Sequence, residues 1–210
     1  MISSILDFSL SNPNNGTLFD TRDGQSYPVI RINNQIWLAE NFRYLPCKDK
    51  GDLFDTSYVS NNDNSYLDKG YGRLYDWNTA MNIAPEGWKL PSNEDFQELI
   101  DFIRKDNKLD VVDEIGNYLK SENGWASSFR KIKPNNDKYG FNAKPVGYHR
   151  NDSFYSEGYY ANFWSATEYN NSDSTNGWST NGWRLYYNYE AFNSFNNKYS
   201  MLSVRLIKDS

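Results

Sequence analysis

Apolar and polar residues alternate on both sides of Asn33-Asn34, which is the first clear pattern in the chain. Residues 27–32 and 35–38 each have the period of two that a half-buried strand needs. Because asparagine tolerates the left-handed backbone of a tight turn, these two runs predict a β-hairpin that turns at Asn33-Asn34. Asp23-Gly24 marks another tight turn just before the first run.

Helical spacing first occurs in residues 71–83, where Leu74, Trp77 and Met81 fall on one side of a helix. The breaker sequence Pro85-Glu-Gly87 follows, so the pattern predicts a helix that ends before residue 85. Residues 45–70 are polar and rich in turn formers, and we expect them to form a long surface loop.

A second helix is predicted from Ser92 onward. Ser92 is a typical N-cap, and Asp95 stands three residues later, where it completes a capping box. An apolar stripe with helical spacing follows, made of Phe96, Leu99, Ile100 and Ile103. A short third helical segment is indicated near residues 111–120.

From Gly124 onward, short aromatic and β-branched runs are separated by Asn, Gly and Ser turns, which is typical of antiparallel sheet. The order of elements is therefore strands, helices and strands again. That order predicts an α+β domain whose two ends share a sheet, and we assign it to residues 20–210. Residues 1–19 precede it, either as a lead-in strand at a sheet edge or as an oligomerisation arm.

A perfect tandem repeat lies late in the chain. Residues 174–178 and 179–183 both read Ser-Thr-Asn-Gly-Trp. Five residues are too few for a solenoid unit. We interpret the repeat as a duplication that lengthens a loop, where insertions cost least.

Composition and charge narrow the possible functions. The chain has 7 Trp, 17 Tyr and 12 Phe, so large rings must build much of the core and can also build a recognition surface. The net charge is -5 and no stripe of Lys and Arg occurs, so nucleic acid is not an expected partner. No apolar run approaches the roughly 20 residues of a membrane-spanning helix, so membrane insertion is not expected.

Cys47 is the only cysteine and His149 the only histidine. A disulfide within the chain, a cysteine-based zinc site and any site with two imidazoles are therefore excluded. The first ten residues lack the basic region and unbroken apolar stretch of a signal peptide. A virion or cell-surface location is favoured, reached by lysis or with a signal removed, and retention inside a cell is the alternative. Nothing in the sequence sets the oligomeric state.

Seven motifs in order along the chain carry a family likeness. They are Asp23-Gly-Gln-Ser-Tyr27, Asn34-Gln-Ile-Trp-Leu-Ala-Glu-Asn41, Tyr71-Gly-Arg-Leu-Tyr-Asp-Trp77, Pro85-Glu-Gly-Trp-Lys-Leu-Pro91, Gly140-Phe141, Phe163-Trp-Ser-Ala-Thr-Glu168 and Ser203-Val-Arg205. Through them the chain resembles the Fibrobacter succinogenes major paralogous domain over most of its length, from Asp20 onward.

The resemblance implies a C-type-lectin-like fold, with an antiparallel sheet, two main helices, long loops, and N- and C-terminal strands that pair. Members of this family are bacterial surface or viral proteins without an assigned reaction. Some relatives of the fold are variable proteins of diversity-generating retroelements. In those proteins, mutagenesis at template adenines scatters Asn codons toward Tyr, Ser, Asp, Thr and Phe.

The candidate binding surface lies in residues 162–200, where more than half of the residues are Asn, Ser, Tyr, Asp or Thr. Tyr supplies large contact area at low entropy cost, and Ser and Asn supply adaptable hydrogen bonds, as in antibody paratopes. We expect a frame around Trp164, Trp183, Arg184 and Arg205. The expected ligand-binding residues are Tyr169, Asn170, Asn171, Ser172, Asp173, Asn176, Trp178, Asn181, Tyr186, Tyr187, Asn188, Tyr189, Phe192, Asn193, Ser194 and Asn196.

The expected ligand is a protein or glycan on another cell or particle. The alternative is a structural or adhesive surface or virion protein whose polar face has no selected partner. Trp37, Trp77, Trp88 and Trp164 lie in the family motifs and are interpreted as core rings.

Glu40-Asn41 and Glu168 are interpreted as buried polar groups that fasten loops to backbone amides. A second interpretation makes Glu168 and Asp173 calcium ligands, but the Glu-Pro-Asn and Trp-Asn-Asp signatures of sugar-binding lectins are absent. We therefore expect no metal and no cofactor.

Catalysis is not expected. The related formylglycine-generating enzymes need a cysteine pair and the sulfoxide synthases need several histidines, whereas this chain has one of each residue. No carboxylate pair lies in an apolar setting that would tune its pKa. A hydrolase remains a third hypothesis, and it predicts a deep pocket lined by converging carboxylates.

Overall fold

In the computed structural model of the chain, the described residues are 5–8, 15–46, 57–110, 112–127, 135–168, 178–186 and 191–209. Side chains are described for all of these except 5–8, 112–113, 178–181, 186 and 191–195.

The described residues form fourteen strands. In chain order they are β1 Ile5–Phe8, β2 Asn15–Asp20, β3 Gln25–Ile32, β4 Gln35–Leu38, β5 Ser57–Val59, β6 Arg73–Tyr75, β7 Trp88–Lys89, β8 Tyr148–Arg150, β9 Ser153–Tyr155, β10 Tyr160–Glu168, β11 Trp178–Tyr186, β12 Ala191–Asn197, β13 Leu202–Ser203 and β14 Ile207–Lys208. The α-helices are α1 Ser65–Asp68, α2 Trp77–Asn82 and α3 Asn93–Asp106, and two 3-10 helices cover Ser60–Asn62 and Val112–Tyr118.

Two six-stranded sheets and one small hairpin sheet organise these strands. The first sheet has the order β1-β2-β3-β4-β14-β7, and the second has the order β12-β11-β10-β13-β6-β5. Strands β8 and β9 pair only with each other in the third sheet. Every strand pair is antiparallel except β10 with β13. With few helices among the described residues, this is the α+β architecture that the order of elements predicts.

The last strand of the chain returns to the early strands. In the first sheet β14 lies between β4 and β7, with Ile207 opposite both Trp37 and Lys89. The two ends of the domain therefore share a sheet, as predicted. The N-terminal strands β1 and β2 extend the same sheet at its other side, next to β3.

The hairpin and the capped helix are confirmed. β3 and β4 pair around a turn at Asn33-Asn34, and Asn33 has a φ of 53°, in the left-handed region that asparagine tolerates. At the start of α3, the Ser92 hydroxyl accepts a hydrogen bond from the Asp95 amide at 3.1 Å, and the Asp95 carboxylate accepts one from the Ser92 amide at 2.8 Å. The predicted apolar stripe of α3 is buried.

The helix predicted over residues 71–83 is wrong in its first half. Residues 73–75 form β6, which pairs with β5 on one side and β13 on the other. Asp76 then caps the short helix α2 by accepting a hydrogen bond from the Thr79 amide at 2.8 Å. Leu74 is buried, but it belongs to β6 and not to a helix. The Met81 side chain is 40% exposed.

The long surface loop expected over residues 45–70 is also only partly correct. Its later part contains β5, a 3-10 helix and α1, while residues 47–56 lie outside the described residues. The short third helix is confirmed as the 3-10 helix Val112–Tyr118.

The core consists of two aromatic-rich clusters. In one, α3 packs against residues of both sheets, and Trp37 contacts Phe96 with ring centroids 5.3 Å apart. In the other, Trp77, Trp88 and Trp164 pack with residues of both sheets. Trp37 and Trp164 are 0% exposed, and Trp77 and Trp88 are nearly so. The interpretation of these four tryptophans as core rings is confirmed.

Candidate functional site

Strands β10, β11 and β12 form the antiparallel meander that carries the candidate binding region. Nine of the sixteen expected ligand-binding residues lie outside the described residues: Tyr169, Asn170, Asn171, Ser172, Asp173, Asn176, Tyr187, Asn188 and Tyr189. Six more are described by their backbone alone, on β11 or β12: Trp178, Asn181, Tyr186, Phe192, Asn193 and Ser194. The sixteenth, Asn196, is described with its side chain.

The frame of the meander is buried. Trp183 is 7% exposed, its ring stacks on Phe96 at 5.5 Å, and its indole nitrogen donates a hydrogen bond to Asn93 Oδ1 at 3.2 Å. The Trp164 indole donates to the carbonyl of Tyr75 at 2.6 Å. These contacts anchor β10 and β11 to α3 and β6, so the backbone that carries the candidate residues is attached to the core.

Asn196 does not belong to an exposed surface. It is 6% exposed. A Cβ on Gly182 would lie only 2.7 Å from the Nδ2 atom of Asn196. Because glycine has no Cβ, β12 can approach β11 closely at this point. The buried side chain of Asn196 is part of the packing between these strands, and we do not retain it as a ligand contact.

The register of β10, β11 and β12 defines two ends of the meander. At one end Trp178 is opposite Asn197. At the other end Tyr160 is opposite Tyr186 and Leu185 is opposite Ala191. Residues 169–177 and 187–190, which hold nine of the expected ligand-binding residues, lie outside the described residues.

A hydrogen-bonded turn with an exposed tyrosine lies at the first of these ends. Tyr199 is 82% exposed, and its amide donates a hydrogen bond to Asn197 Oδ1 at 2.9 Å. The ammonium group of the neighbouring Lys198 pairs with the Glu168 carboxylate and lies 4.6 Å from the centre of the Trp77 ring. The Lys198 carbonyl accepts a hydrogen bond from the Trp77 amide at 3.2 Å. Tyr199 is not among the residues that were expected from the sequence to bind a ligand. The sequence signal for its exposure is its place in the turn Asn-Lys-Tyr-Ser between β12 and β13.

Tyrosines also gather at the second end. Tyr159 is 48% exposed and Tyr155 43%. The Arg184 guanidinium lies 4.8 Å from the centre of the Tyr160 ring and donates to Asn162 Oδ1 at 2.6 Å. These rings therefore lie at the end of the meander where Tyr160 is opposite Tyr186.

A buried polar cluster fastens the C-terminal strands to the early loops. Arg205 is 0% exposed and donates to the Leu38 carbonyl at 3.1 Å, to Asn41 Oδ1 at 2.6 Å and to the carbonyl of Phe141. Asn41 in turn donates to the Tyr71 carbonyl at 2.9 Å. Burial lowers the pKa of Arg205 to about 9, so the guanidinium stays protonated at neutral pH.

Asn41 is therefore buried and fastens a loop, as expected, but its partners are the Tyr71 carbonyl and the Arg205 guanidinium and not the backbone amides that were expected. Glu168 differs, because it is exposed at the end of β10 and pairs with Lys198. Of the two carboxylates considered as calcium ligands, Asp173 lies outside the described residues. Within the described ranges, no three His, Cys, Asp or Glu side chains come together as metal ligands would.

The lone histidine is a core ring. His149 is 5% exposed and stacks on Tyr58 with centroids 4.0 Å apart, and burial lowers its pKa. Cys47 lies outside the described residues. Among the described helices, none has the length and apolar character needed to cross a membrane.

A groove of about 850 Å³ follows the exposed side of α3. Two of its carboxylates already have cationic partners, since Asp101 lies 3.9 Å from Arg104 and Asp106 lies 2.8 Å from Lys138. Asn196, the expected ligand-binding residue whose side chain is described, does not line it. Its lining residues are Asn33, Glu94, Gln97, Glu98, Asp101, Phe102, Lys105 and Asp106.

Comparison with known proteins identifies the family of the chain. The model of the Fibrobacter succinogenes major domain matches residues 30–208, which is most of the chain. No curated protein and no solved structure matches the chain. The matched range includes β10 to β14 and the buried frame described above. The chain belongs to the Fibrobacter succinogenes major domain family.

Proposed function

We propose that this chain is a ligand-binding module that recognises a protein or glycan on another cell or particle through β10–β12 and their loops. The observation that carries the proposal is the separation of two residue sets in this meander. Trp164 and Trp183 of the frame are buried in the core, as is the neighbouring Leu185. The Tyr/Asn/Ser-rich candidates fall in the segments 169–177 and 187–190 of the sequence and on the strands β11 and β12. Adaptable residues on a rigid sheet are what antibody paratopes use.

Tyr199 belongs to this proposed surface. The hydrogen bond of its turn and the Lys198 contacts hold its backbone at the end of the meander where Trp178 is opposite Asn197. An exposed tyrosine on a rigid turn loses little conformational entropy when a partner covers it. Such residues are enriched among those that dominate binding energy.

We also propose that the domain has the C-type-lectin-like fold that the family likeness implies. In support, the C-terminal strand β14 pairs with the early strand β4. Helices α2 and α3 follow the first strands, as expected for that fold.

The residue mixture of the surface suits an origin in a diversity-generating retroelement. Mutagenesis at the adenines of asparagine codons produces codons for Tyr, Ser, Asp, Thr and Phe. These residues occur together with asparagine in residues 162–200. We propose this origin for the loops and β12, and not for the buried frame that any variant must keep.

Binding rather than catalysis is the activity we propose. Four carboxylates line the α3 groove, and two of them are held in ion pairs. A structural or adhesive virion or surface protein is the alternative function. It differs from the proposal in having no selective partner for the tyrosines.

The test uses two probes, a displayed library of random peptides and an array of bacterial surface glycans, both selected on the wild-type protein. Variant one replaces Tyr186, Tyr187 and Tyr189 with alanine, and variant two is Tyr199→Ala. The matched control is Phe19→Ala, an exposed ring of the other sheet. Thermal melting establishes that each variant is folded.

We expect at least one tyrosine variant to lose about tenfold or more in affinity for the enriched peptide or glycan, because buried tyrosines at interfaces each contribute on the order of 1–2 kcal/mol. Phe19→Ala keeps wild-type affinity. Equal affinity in all variants contradicts the proposed surface. Loss of folding or assembly without a selective ligand favours the structural alternative.

A further inference from the structure

Only one sheet edge among the described strands is long. The first sheet ends in β1, of four residues, and β7, of two residues. The second sheet ends in β5, of three residues, and β12, of seven residues. Short edge strands limit pairing with other chains, because few free N–H and C=O groups line up along them. β12 is the longest of these edge strands, and besides β11 the 3-10 helix Val112–Tyr118 packs close to it.

The composition of β12 also leaves its edge open to pairing. Its sequence, Ala-Phe-Asn-Ser-Phe-Asn-Asn, contains no lysine, no other charged residue and no proline. Those are the residues that natural proteins place on edge strands to prevent association. The chain as a whole carries a net charge of -5, so an uncharged strand is where a second copy meets the least repulsion.

The core holds β12 in a defined place. The strand pairs with β11 over seven positions, from Trp178 opposite Asn197 to Leu185 opposite Ala191. Asn196 packs against Gly182 at one end of it. The outer edge of β12 is therefore presented by an ordered ladder, and no described strand pairs with that edge.

From these observations we propose that β12 pairs with β12 of a second copy of this chain, antiparallel and about a two-fold axis near Ser194. An antiparallel strand edge is self-complementary, since each copy offers the other the same N–H and C=O pattern. The pairing joins two six-stranded sheets into one continuous sheet across the dimer.

The dimer places two copies of the meander side by side. Backbone hydrogen bonds make the contact, so it tolerates changes of the side chains along β12. A partner that displays repeated ligands then meets two linked surfaces, which raises the overall affinity without new contacts. The dimer itself does not depend on the proposed ligand-binding function.

Oligomeric state and a cysteine scan test the pairing. Cys47→Ser removes the only cysteine of the chain, and single cysteines are then introduced in turn at residues 192, 193, 194 and 195. In a two-fold antiparallel pair, only the residue at the axis lies opposite its own copy, at a Cα separation of roughly 4.5–5.5 Å. We expect disulfide-linked dimers to peak at one position of β12 and to fall on both sides of it.

Substitutions at Ser194 supply the matched comparison. Light scattering is measured at protein concentrations from about 10 to 500 µM. We expect the average mass of the wild-type protein to rise toward that of two chains, because a small interface gives a weak dimer. Ser194→Lys places like charges across the axis and shifts the protein to monomer, whereas Ser194→Thr keeps the dimer. Unchanged melting temperatures establish that both variants are folded.

A wild-type protein that stays monomeric over this range overturns the proposal. So does a dimer that persists in Ser194→Lys with no cross-linking along β12, because the contact then lies elsewhere. Neither result bears on the peptide and glycan selections, so the failure of the dimer and the failure of the binding function are distinguishable.

Discussion

Asp137 is expected to make the stability of the fold depend on pH, and Asp137→Asn is expected to remove that dependence. The residue stands in the tight turn before Phe141, with a φ of 40°, and its Oδ1 accepts a hydrogen bond from the Asn142 amide at 2.8 Å. Burial raises the pKa of its carboxyl from 3.8 to about 6, against the opposing attraction of Arg205 and Lys144.

The sign follows from the direction of this shift. A carboxyl whose pKa is higher in the folded state binds its proton more tightly there than in the unfolded chain. Its contribution to stability is therefore fully present below pH 3.8 and is lost as the pH rises through about 6.

The magnitude follows from the size of the shift. A rise of about two pKa units corresponds to an upper limit of about 3 kcal/mol. The Asp137 side chain is partly exposed, and solvent screening reduces this value to about 1–2 kcal/mol.

Urea unfolding at pH 4, 5, 6, 7 and 8 measures the effect. Asparagine keeps the oxygen that accepts from the Asn142 amide but carries no charge. We expect Asp137→Asn to equal the wild type at pH 4 and to exceed its free energy of unfolding by about 1–2 kcal/mol at pH 7. The control is Asp106→Asn. Hydrogen bonds from Lys138 and Tyr139 lower the pKa of Asp106, so the sign of the change is opposite.

A difference between Asp137→Asn and the wild type that stays constant from pH 4 to 8 refutes this reasoning. If the variant is instead less stable at pH 7, the attraction of Arg205 and Lys144 for the carboxylate outweighs the cost of burying it.

Two further predictions concern the buried frame and the origin of the surface. Arg205→Met removes the guanidinium that donates to the carbonyls of Leu38 and Phe141 and to the Asn41 side chain. Because each buried acceptor that loses its donor costs about 1–3 kcal/mol, urea unfolding should show a loss of about 3–5 kcal/mol. The exposed-helix control Arg104→Met should change stability by less than about 0.5 kcal/mol, and an equal effect of both contradicts a special role for Arg205. Sequencing around the gene should reveal a reverse-transcriptase gene and a near-identical copy of the segment encoding residues 162–200, differing at adenines. Without such a copy the retroelement origin fails, while binding stands on its own test.

Local signals in the sequence determined the elements whose cause is local. The Asn33-Asn34 turn needs only residues that tolerate a positive φ, and α3 needs only its capping box and apolar stripe. The core role of Trp37, Trp77, Trp88 and Trp164 and the family itself could also be predicted, since ordered motifs carry both.

Tertiary structure decided the features whose partners lie far away along the chain. Residues 73–75 form a strand and not a helix because β5 and β13 supply ladder partners on both sides. Asn196 is buried because Gly182 lets two strands approach closely. The strand register also divides one polar stretch of sequence between two ends of a sheet, and it exposes Tyr199 at one of them. A one-dimensional pattern records which residues can be exposed or buried, but pairing across long sequence separations decides which of them share a surface.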